Sequence, residues 1–225
     1  MEIITTDQTT EITINGEALK SLLLARRTTK DHFKMPLSYE NTVIALTAAY
    51  QAEVEYRRRQ CILDDQTKTN ISAFAKFLTN GNKFGAIFSG ICGNGKTTLL
   101  YAFRNLLNYL NQKRMFANTD TGIIIVDAKD IAEYAKDLKR FHDLRSQPLL
   151  AIEDMGREPV EVMSYGNVLN PVIDLLEYRY NQQLFTLITT NLIPQEIRER
   201  YGNRIADRFN EMLDILIFRN KTYRR

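Results

Sequence analysis

The chain has 225 residues, of which 44% are hydrophobic and 25% are charged. This balance is typical of a globular protein with one good-sized domain and a smaller appendage. No run approaches ~18 unbroken apolar residues, and the start has neither the basic nor the apolar region of a signal peptide, so we expect no membrane association and a cytoplasmic location. Thirty basic and 27 acidic residues give a net charge of +3. Basic and acidic residues are too nearly balanced for the net charge by itself to indicate nucleic-acid binding.

The chain has two cysteines, Cys61 and Cys92, which lie far apart and without histidines at ligand spacing. A structural zinc site is therefore not expected, and a reduced compartment is the default.

Residues 1–65 are expected to form a small, mostly helical N-terminal region. Glu11–Ile14 alternates like a short strand, and Ala18–Arg26 can form a short helix. Ser38 is a good N-cap for a longer helix, whose apolar residues recur at helical spacing: Tyr39, Val43, Leu46, Tyr50 and Val54. The polar run Asp64–Thr69 marks the predicted boundary, and the second domain covers residues 66–225.

The second domain alternates short apolar runs with helical patterns. Five strands are predicted, at Gly85–Ser89, Gly122–Val126, Pro148–Ile152, Leu184–Thr189 and Leu213–Phe218. Helices are predicted from Asn70, as N-cap, to Leu78, and at Thr97–Gln112, Ala128–Leu138, Val168–Asn181, Pro194–Tyr201 and Ile205–Met212. Continuous apolar strands separated by helices indicate an α/β fold, with a parallel sheet covered on both faces.

The segment between the first of these strands and its helix reads GICGNGKT, from Gly90 to Thr97. In this context the pattern predicts a phosphate-binding loop, because glycines let backbone N–H groups point at phosphate oxygens and the helix N-terminus adds its positive dipole end. Lys96 is placed to reach the β- and γ-phosphates, and Thr97 to offer a hydroxyl to Mg²⁺. The predicted ATP-binding residues are Gly90, Cys92, Gly93, Asn94, Gly95, Lys96, Thr97 and Thr98. The alternative is a glycine-rich turn with an incidental lysine.

Polar residues follow the third and fourth strands. Glu153 and Asp154 come directly after a buried run, at the carboxyl edge where α/β sheets bind ligands. Glu153 is a candidate for holding magnesium through water, and Asp154 for polarising the attacking water. Asn191 follows the fourth strand and can orient water without bringing charge. The alternative is that both acids are ordinary loop residues without a catalytic role.

These motifs together resemble one family. GICGNGKT, LLAIEDMGRE, TLITTNL, RYGNRIADRF and the ending TYRR are similar to the DnaC/IstB group of AAA+ ATPases, over about Ile71 to Arg225. The most specific parts are EDMGRE and the TTNL segment followed by YGNRIADRF. The resemblance implies an AAA+ P-loop core without a C-terminal lid. It also implies a helicase loader of DNA replication or a transposase helper.

The resemblance also implies roles for individual residues. Lys96 and Thr97 match the Walker A residues, Glu153 and Asp154 the Walker B acids, and Asn191 the sensor asparagine. Arg208 matches the arginine that the family presents to a neighbouring subunit's nucleotide, with Arg204 as second choice. The acid pair is usually Asp-Asp or Asp-Glu, so the Glu-Asp order here departs from the family and bears on the rate of hydrolysis.

The resemblance implies three kinds of partner: a replicative helicase or a transposase, single-stranded DNA, and further copies of the chain, which associate through the ATP site. Residues 1–65 are expected to bind the helicase or transposase. Lys139, Arg140 and Arg145 lie between the second and third strands and are candidate DNA contacts, with Phe141 as a stacking residue. The alternative is that this basic segment is merely solvated.

Two interpretations from other classes remain open. A P-loop kinase would need an arginine-bearing segment that closes over a second substrate, and the acid pair with Asn191 is better explained by hydrolysis. A non-hydrolysing, ATP-gated adaptor is kept open by the Glu-Asp order of the acids.

Overall fold

The computed structural model describes residues 15–25, 32–113, 115–116, 122–159, 161–164 and 167–223. The chain divides into two compact units, Met1–Asp31 and His32–Arg225. In the first unit, helix α1 (Gly16–Ala25) exposes Leu19, Leu22 and Leu23. The strand predicted at Glu11–Ile14 lies outside the described residues.

The second unit alternates helices and strands over most of its length. In chain order they are α2 (Tyr39–Tyr56), α3 (Asp65–Asn80), β1 (Gly85–Gly90), α4 (Lys96–Gln112), β2 (Ile124–Asp127), a 3₁₀ turn (Ala128–Asp130), α5 (Ile131–Tyr134), α6 (Leu138–Arg145), β3 (Leu149–Met155), β4 (Val162–Ser164), β5 (Asn167–Leu169), α7 (Pro171–Gln182), β6 (Phe185–Thr190), α8 (Pro194–Tyr201), α9 (Asn203–Met212) and β7 (Leu213–Phe218). No helix in the described part of the chain is long and apolar enough to cross a membrane.

The main sheet has five strands in the order β2-β3-β6-β1-β7, and every pairing is parallel. The predicted α/β fold with a five-stranded parallel sheet is therefore confirmed. Strands β3, β6 and β1 are neighbours that run in the same direction, so their carboxyl ends lie at one edge of the sheet. A small antiparallel pair, β4 and β5, was not predicted, and the helix expected from Val168 begins instead at Pro171.

The sheet has an apolar layer on each face because successive strand residues point to opposite sides. In β1, Phe88 packs with helices α2, α3 and α4, whereas Ile87 packs with the layer that contains residues of α7 and α9. Leu46 of α2 is fully buried in the first layer. Residues 32–65 thus share a core with the sheet, while the partner-binding role expected for residues 1–65 remains a prediction.

Two further differences from the predicted helices come from aspartate caps. Asp64, and not Asn70, caps α3, because its carboxylate accepts the backbone N–H of Thr67 at 2.7 Å. The helix predicted from Ala128 to Leu138 is broken because the Asp137 carboxylate accepts the backbone N–H groups of Lys139 and Arg140 and starts α6. Leu138, the last residue of that predicted helix, is 86% exposed.

Candidate nucleotide-binding site

The phosphate loop connects β1 to α4, where the sequence predicted it. Gly93 and Gly95 adopt positive φ angles of 80° and 95°, which side chains rarely adopt. At Gly95 a Cβ atom would also lie 2.7 Å from the hydroxyl oxygen of Tyr50 on α2. The loop therefore needs glycine at both positions, and helix α2 supports it from one side.

Lys96 is buried within the loop, with 4% of its surface exposed. Its ammonium donates to the carbonyl oxygens of Gly90 at 2.7 Å and Ile91 at 2.8 Å, and to the side-chain oxygens of Asn94 at 3.1 Å and Asn191 at 2.9 Å. The structure thus brings together the predicted loop lysine and the predicted strand-end asparagine. The roles of both residues remain predictions.

The acid pair lies within β3, which extends to Met155 and so is longer than predicted. The pairing with β6 is irregular between Ile152 and Met155, and Asp154 has a φ of 55°. The hydroxyl of Thr189 accepts the backbone N–H of Asp154 at 2.9 Å, and that of Thr190 donates to the carbonyl of Met155 at 2.6 Å. Two buried threonines of β6 therefore hold the segment that carries the acids, and sequence reasoning missed both of them.

Each acid already has a partner. The guanidinium of Arg157 lies 2.6 Å from a carboxylate oxygen of Asp154, and this ion pair raises the pKa of Arg157. The hydroxyl of Tyr101 donates to Glu153 at 3.1 Å, and the pKa of Tyr101 is raised, first by burial and then by that carboxylate. Sequence reasoning also missed Arg157, although it lies in the EDMGRE segment, three residues after Asp154.

Lys96, Asn191, Arg157 and the two acids line one cavity of about 1030 Å³. Its walls include the predicted residues Cys92, Gly93, Asn94, Gly95, Lys96, Thr97, Thr98, Glu153, Asp154 and Asn191. Further lining comes from Tyr50, Val54, Arg57, Arg59, Gln60 and Ile62, from Arg157, and from Thr222 and Tyr223 near the end of the chain. Gly90 and Arg208 do not line it, although the Gly90 carbonyl accepts a hydrogen bond from Lys96. The volume lies just above the range of about 300–1,000 Å³ that is typical of small-molecule sites.

The donor set at the cavity suits a magnesium ion that arrives with a nucleotide. Mg²⁺ prefers hard oxygen ligands and is usually held by one or two protein groups together with substrate phosphates and water. Thr97 contributes a hydroxyl and Glu153 a carboxylate to the same cavity. Among the described residues, no three side chains of His, Cys, Asp or Glu lie close enough together to hold a metal ion by themselves.

Arg204 and Arg208 lie on α9, and neither is among the residues that line the cavity. Both contact the carboxylate of Glu177 on α7, at 3.0 Å and 2.8 Å respectively. The Arg208 side chain is 17% exposed and lies over the ring of Tyr180, whereas that of Arg204 is 71% exposed. The structure therefore presents Arg204 to solvent and holds Arg208 against its own subunit.

The basic segment proposed to contact DNA lies on α6. Lys139 and Arg140 are exposed near the start of this helix. Phe141 is 9% exposed and belongs to the core, so the prediction that it stacks on a base is wrong. Arg145 packs its guanidinium 4.4 Å from the ring centroid of Tyr178. Lys139 and Arg140 remain the more accessible candidates for DNA contact.

No protein-family model and no curated protein sequence matches the chain. Solved structures do: the chain is similar to the DnaC helicase loader, with 23% identity, a TM-score of 0.53, and coverage of 71% of this chain and 94% of that one. It is similar to DnaI, with 20% identity, a TM-score of 0.54, and coverage of 73% and 88%. The replication initiator DnaA bound to AMPPCP and single-stranded DNA gives 18% identity, a TM-score of 0.52, and coverage of 72% and 49%.

These similarities confirm, at the level of fold, the resemblance that the motifs indicated. The sheet order, the phosphate loop after β1 and the acids at the end of β3 agree with that assignment. The chain is therefore an α/β protein with a P-loop fold similar to that of the DnaC helicase loader and of DnaI.

Proposed function

We propose that the chain binds and hydrolyses ATP as an accessory protein of DNA replication, and that it is a DnaC-like helicase loader. The observation that supports this most directly is the 2.9 Å contact between Lys96 and Asn191, in a cavity that Glu153 and Asp154 also line. Loop lysine, strand-end amide and paired acids in one cavity form a set suited to triphosphate hydrolysis.

Binding requires an exchange of partners at Lys96. In the structure its ammonium donates to carbonyl and amide oxygens of the loop and of Asn191. Phosphate oxygens carry more negative charge than these acceptors, so the ammonium would turn to the β- and γ-phosphates of an incoming nucleotide. Thr97 and Glu153 would hold the accompanying Mg²⁺, which neutralises phosphate charge.

Hydrolysis requires a water that is polarised and correctly oriented. Asp154 is the candidate base, and its carboxylate must first part from Arg157, which lies 2.6 Å away. Asn191 lies beside Lys96 and can hold the water through its amide. A base of this kind typically contributes ~10² to 10⁴ in rate.

The replication role rests on the structural neighbours, one of which is the DnaC helicase loader and another the DnaA initiator bound to single-stranded DNA. We infer that this chain binds single-stranded DNA through Lys139 and Arg140, which are exposed on α6. Binding should weaken steeply with salt because neutralised phosphates release counterions. Lys139→Ala with Arg140→Ala should weaken it, and unchanged binding would remove this surface from the proposal.

Labelled ATP distinguishes the proposed ATPase from a kinase. Thin-layer analysis should show free phosphate with the parent protein and no product with Lys96→Ala. A separate binding measurement should show that Lys96→Ala does not bind nucleotide. Transfer of label to an acceptor would indicate a kinase instead. Parent protein that fails to bind ATP would end the proposal.

A pull-down from native lysate distinguishes a loader from a transposase helper with the same core. We expect the chain to recover a replicative helicase, in an amount that depends on ATP. Recovery of a transposase in its place would support the IstB-type alternative. The same experiment on a chain without residues 1–31 tests whether the first unit carries the partner site.

A non-hydrolysing, ATP-gated adaptor remains a second candidate because of one contact, the ion pair between Arg157 and Asp154. If this pair persists with ATP bound, the guanidinium stabilises the ionised carboxylate and makes Asp154 a weaker base toward water. ATP binding without phosphate release, in the presence of the helicase and DNA, would favour this candidate.

A further inference from the structure

The last described residues of the chain run alongside the phosphate loop. We call residues 219–223 the C-terminal tail. Just before the tail, at the end of β7, the side-chain amide of Asn94 donates to the carbonyl of Phe218 at 2.9 Å. At the end of the tail, the backbone N–H of Tyr223 donates to the carbonyl of Gly93, also at 2.9 Å. Two successive loop residues are therefore tied to this part of the chain, Asn94 to the end of β7 and Gly93 to the tail.

The tail is itself fixed to helix α3 by a buried polar network. Asn220 is 4% exposed, and its side-chain oxygen accepts from Asn70 at 2.7 Å. Its nitrogen lies 2.6 Å from the hydroxyl oxygen of Tyr223 and 3.1 Å from that of Thr67. The Tyr223 hydroxyl donates to the carboxylate of Asp64, the N-cap of α3, at 2.7 Å. Groups about 150 residues apart in the sequence thus meet at one point.

The Asp64 carboxylate is the charged centre of this network. Burial alone would raise the pKa of Asp64, but hydrogen bonds from Tyr223, Thr67 and Asn220 outweigh it and lower that pKa. Asp64 is therefore ionised at neutral pH, and the bond from Tyr223 is a charge-assisted one. Such bonds are roughly twice as strong as those between neutral groups.

The tail also reaches the proposed ligand. Thr222 and Tyr223 line the same cavity as Lys96. Tyr223 therefore contacts the loop through its backbone and α3 through its hydroxyl, and it also lines the cavity. We propose that the C-terminal tail positions the ATP site, with Tyr223 holding the phosphate loop in the shape that accepts nucleotide. This inference rests on the proposed nucleotide binding.

The physical reason is pre-organisation. A phosphate loop binds through N–H groups that must all point into the cavity, and ordering a flexible loop at the moment of binding costs free energy. The bond from Tyr223 fixes the Gly93 carbonyl, and hence the peptide plane between Gly93 and Asn94, before any ligand arrives. By thermodynamic reciprocity, a ligand that needs this loop shape must stabilise the tail to the same extent.

The test uses the full chain and a fluorescent ATP analogue with Mg²⁺. Tyr223→Phe keeps the ring and the backbone N–H but removes the bond to Asp64, and we expect it to weaken binding about tenfold. Arg219→Ala, an exposed change within the same tail, is the matched control and should bind like the parent. Thermal unfolding without nucleotide establishes that each variant is folded.

Hydrogen exchange gives the reciprocal measurement, because saturating ATP should slow exchange at the amides of residues 219–223 in the parent and much less in Tyr223→Phe. Parental affinity in Tyr223→Phe, or tail exchange that ATP leaves unchanged, would each overturn the proposal. If Lys96→Ala loses binding in that same experiment, the ATP site stands and the tail proposal alone fails. If the parent binds no nucleotide, both fall together.

Discussion

Thr189 offers a sharp test of how the fold positions the candidate base. Its side chain is fully buried on β6, and its hydroxyl oxygen accepts the backbone N–H of Asp154 at 2.9 Å. Asp154 has a φ of 55°, a conformation that non-glycine residues adopt only where the surroundings enforce it. Thr189→Val keeps the shape and the strand preference of the side chain but removes the acceptor. The variant therefore separates hydrogen bonding from packing.

The expected loss of stability follows from the group left behind. A buried N–H without a partner costs about 1–3 kcal/mol, and for a domain of this size each kcal/mol lowers the thermal midpoint by about 2–4 °C. Thr189→Val should therefore unfold roughly 2–12 °C below the parent. Thr79→Val is the matched control, because Thr79 is only half-buried and its hydroxyl donates to a carbonyl within its own helix. It should unfold close to the parent.

The effect on activity should be larger on turnover than on ATP affinity. Lys96 and the loop are untouched, so the Kd for ATP should stay within about twofold, whereas a carboxylate displaced by ~1 Å can lose about a hundredfold in rate. Single-turnover hydrolysis at saturating ATP measures this step directly. If the variant loses stability but keeps the parental turnover, the Thr189 hydrogen bond supports the fold and does not position the candidate base. An unchanged thermal midpoint would refute the hydrogen-bond argument itself.

The other predictions concern charged residues of the site. Lys96→Ala should abolish stabilisation of the protein by ATP in thermal unfolding, because the ammonium is the main attraction for the triphosphate. Asp154→Asn should bind ATP with Mg²⁺ yet release phosphate ~10² to 10⁴ more slowly. Arg157→Gln should raise basal phosphate release several-fold if its ion pair restrains Asp154; lower release would make Arg157 a nucleotide contact instead. Mixing Asp154→Asn with Arg204→Ala or with Arg208→Ala should restore activity only for the arginine that acts on a neighbour's ATP.

The features that sequence predicted correctly are local or follow from strand direction. The loop between Gly90 and Thr97 could be placed because glycine spacing, the lysine and the flanking apolar and helical patterns lie in one continuous segment. The meeting of Asn191 with Lys96 could be expected because parallel strands end at one edge of the sheet. Neither inference required a side chain's conformation.

The features that could not be predicted from the sequence depend on which of several nearby polar side chains forms a given hydrogen bond. Both Asp64 and Asn70 can cap a helix, and Asp64 is the cap in the structure, where it also accepts a bond from a tyrosine 159 residues away. Asp137 ended one helical pattern and began another because its carboxylate satisfied two free N–H groups. Such competitions involve differences of about 1 kcal/mol, which periodicity does not resolve.

The charges at the candidate site suggest why nucleotide would act as a switch in the proposed mechanism. Lys96 lies almost fully buried, and an ammonium in such a place is costly unless oxygen atoms surround it, which is the role that the loop carbonyls and Asn191 fill. The charge of Asp154 is balanced in a different way, by the ion pair with Arg157. In the mechanism that we propose, ATP would displace the contacts of Lys96 when it binds, and the Asp154–Arg157 pair would open before water reacts. Binding and hydrolysis would then depend on two separate exchanges, so a partner that draws Arg157 away would control hydrolysis without weakening binding.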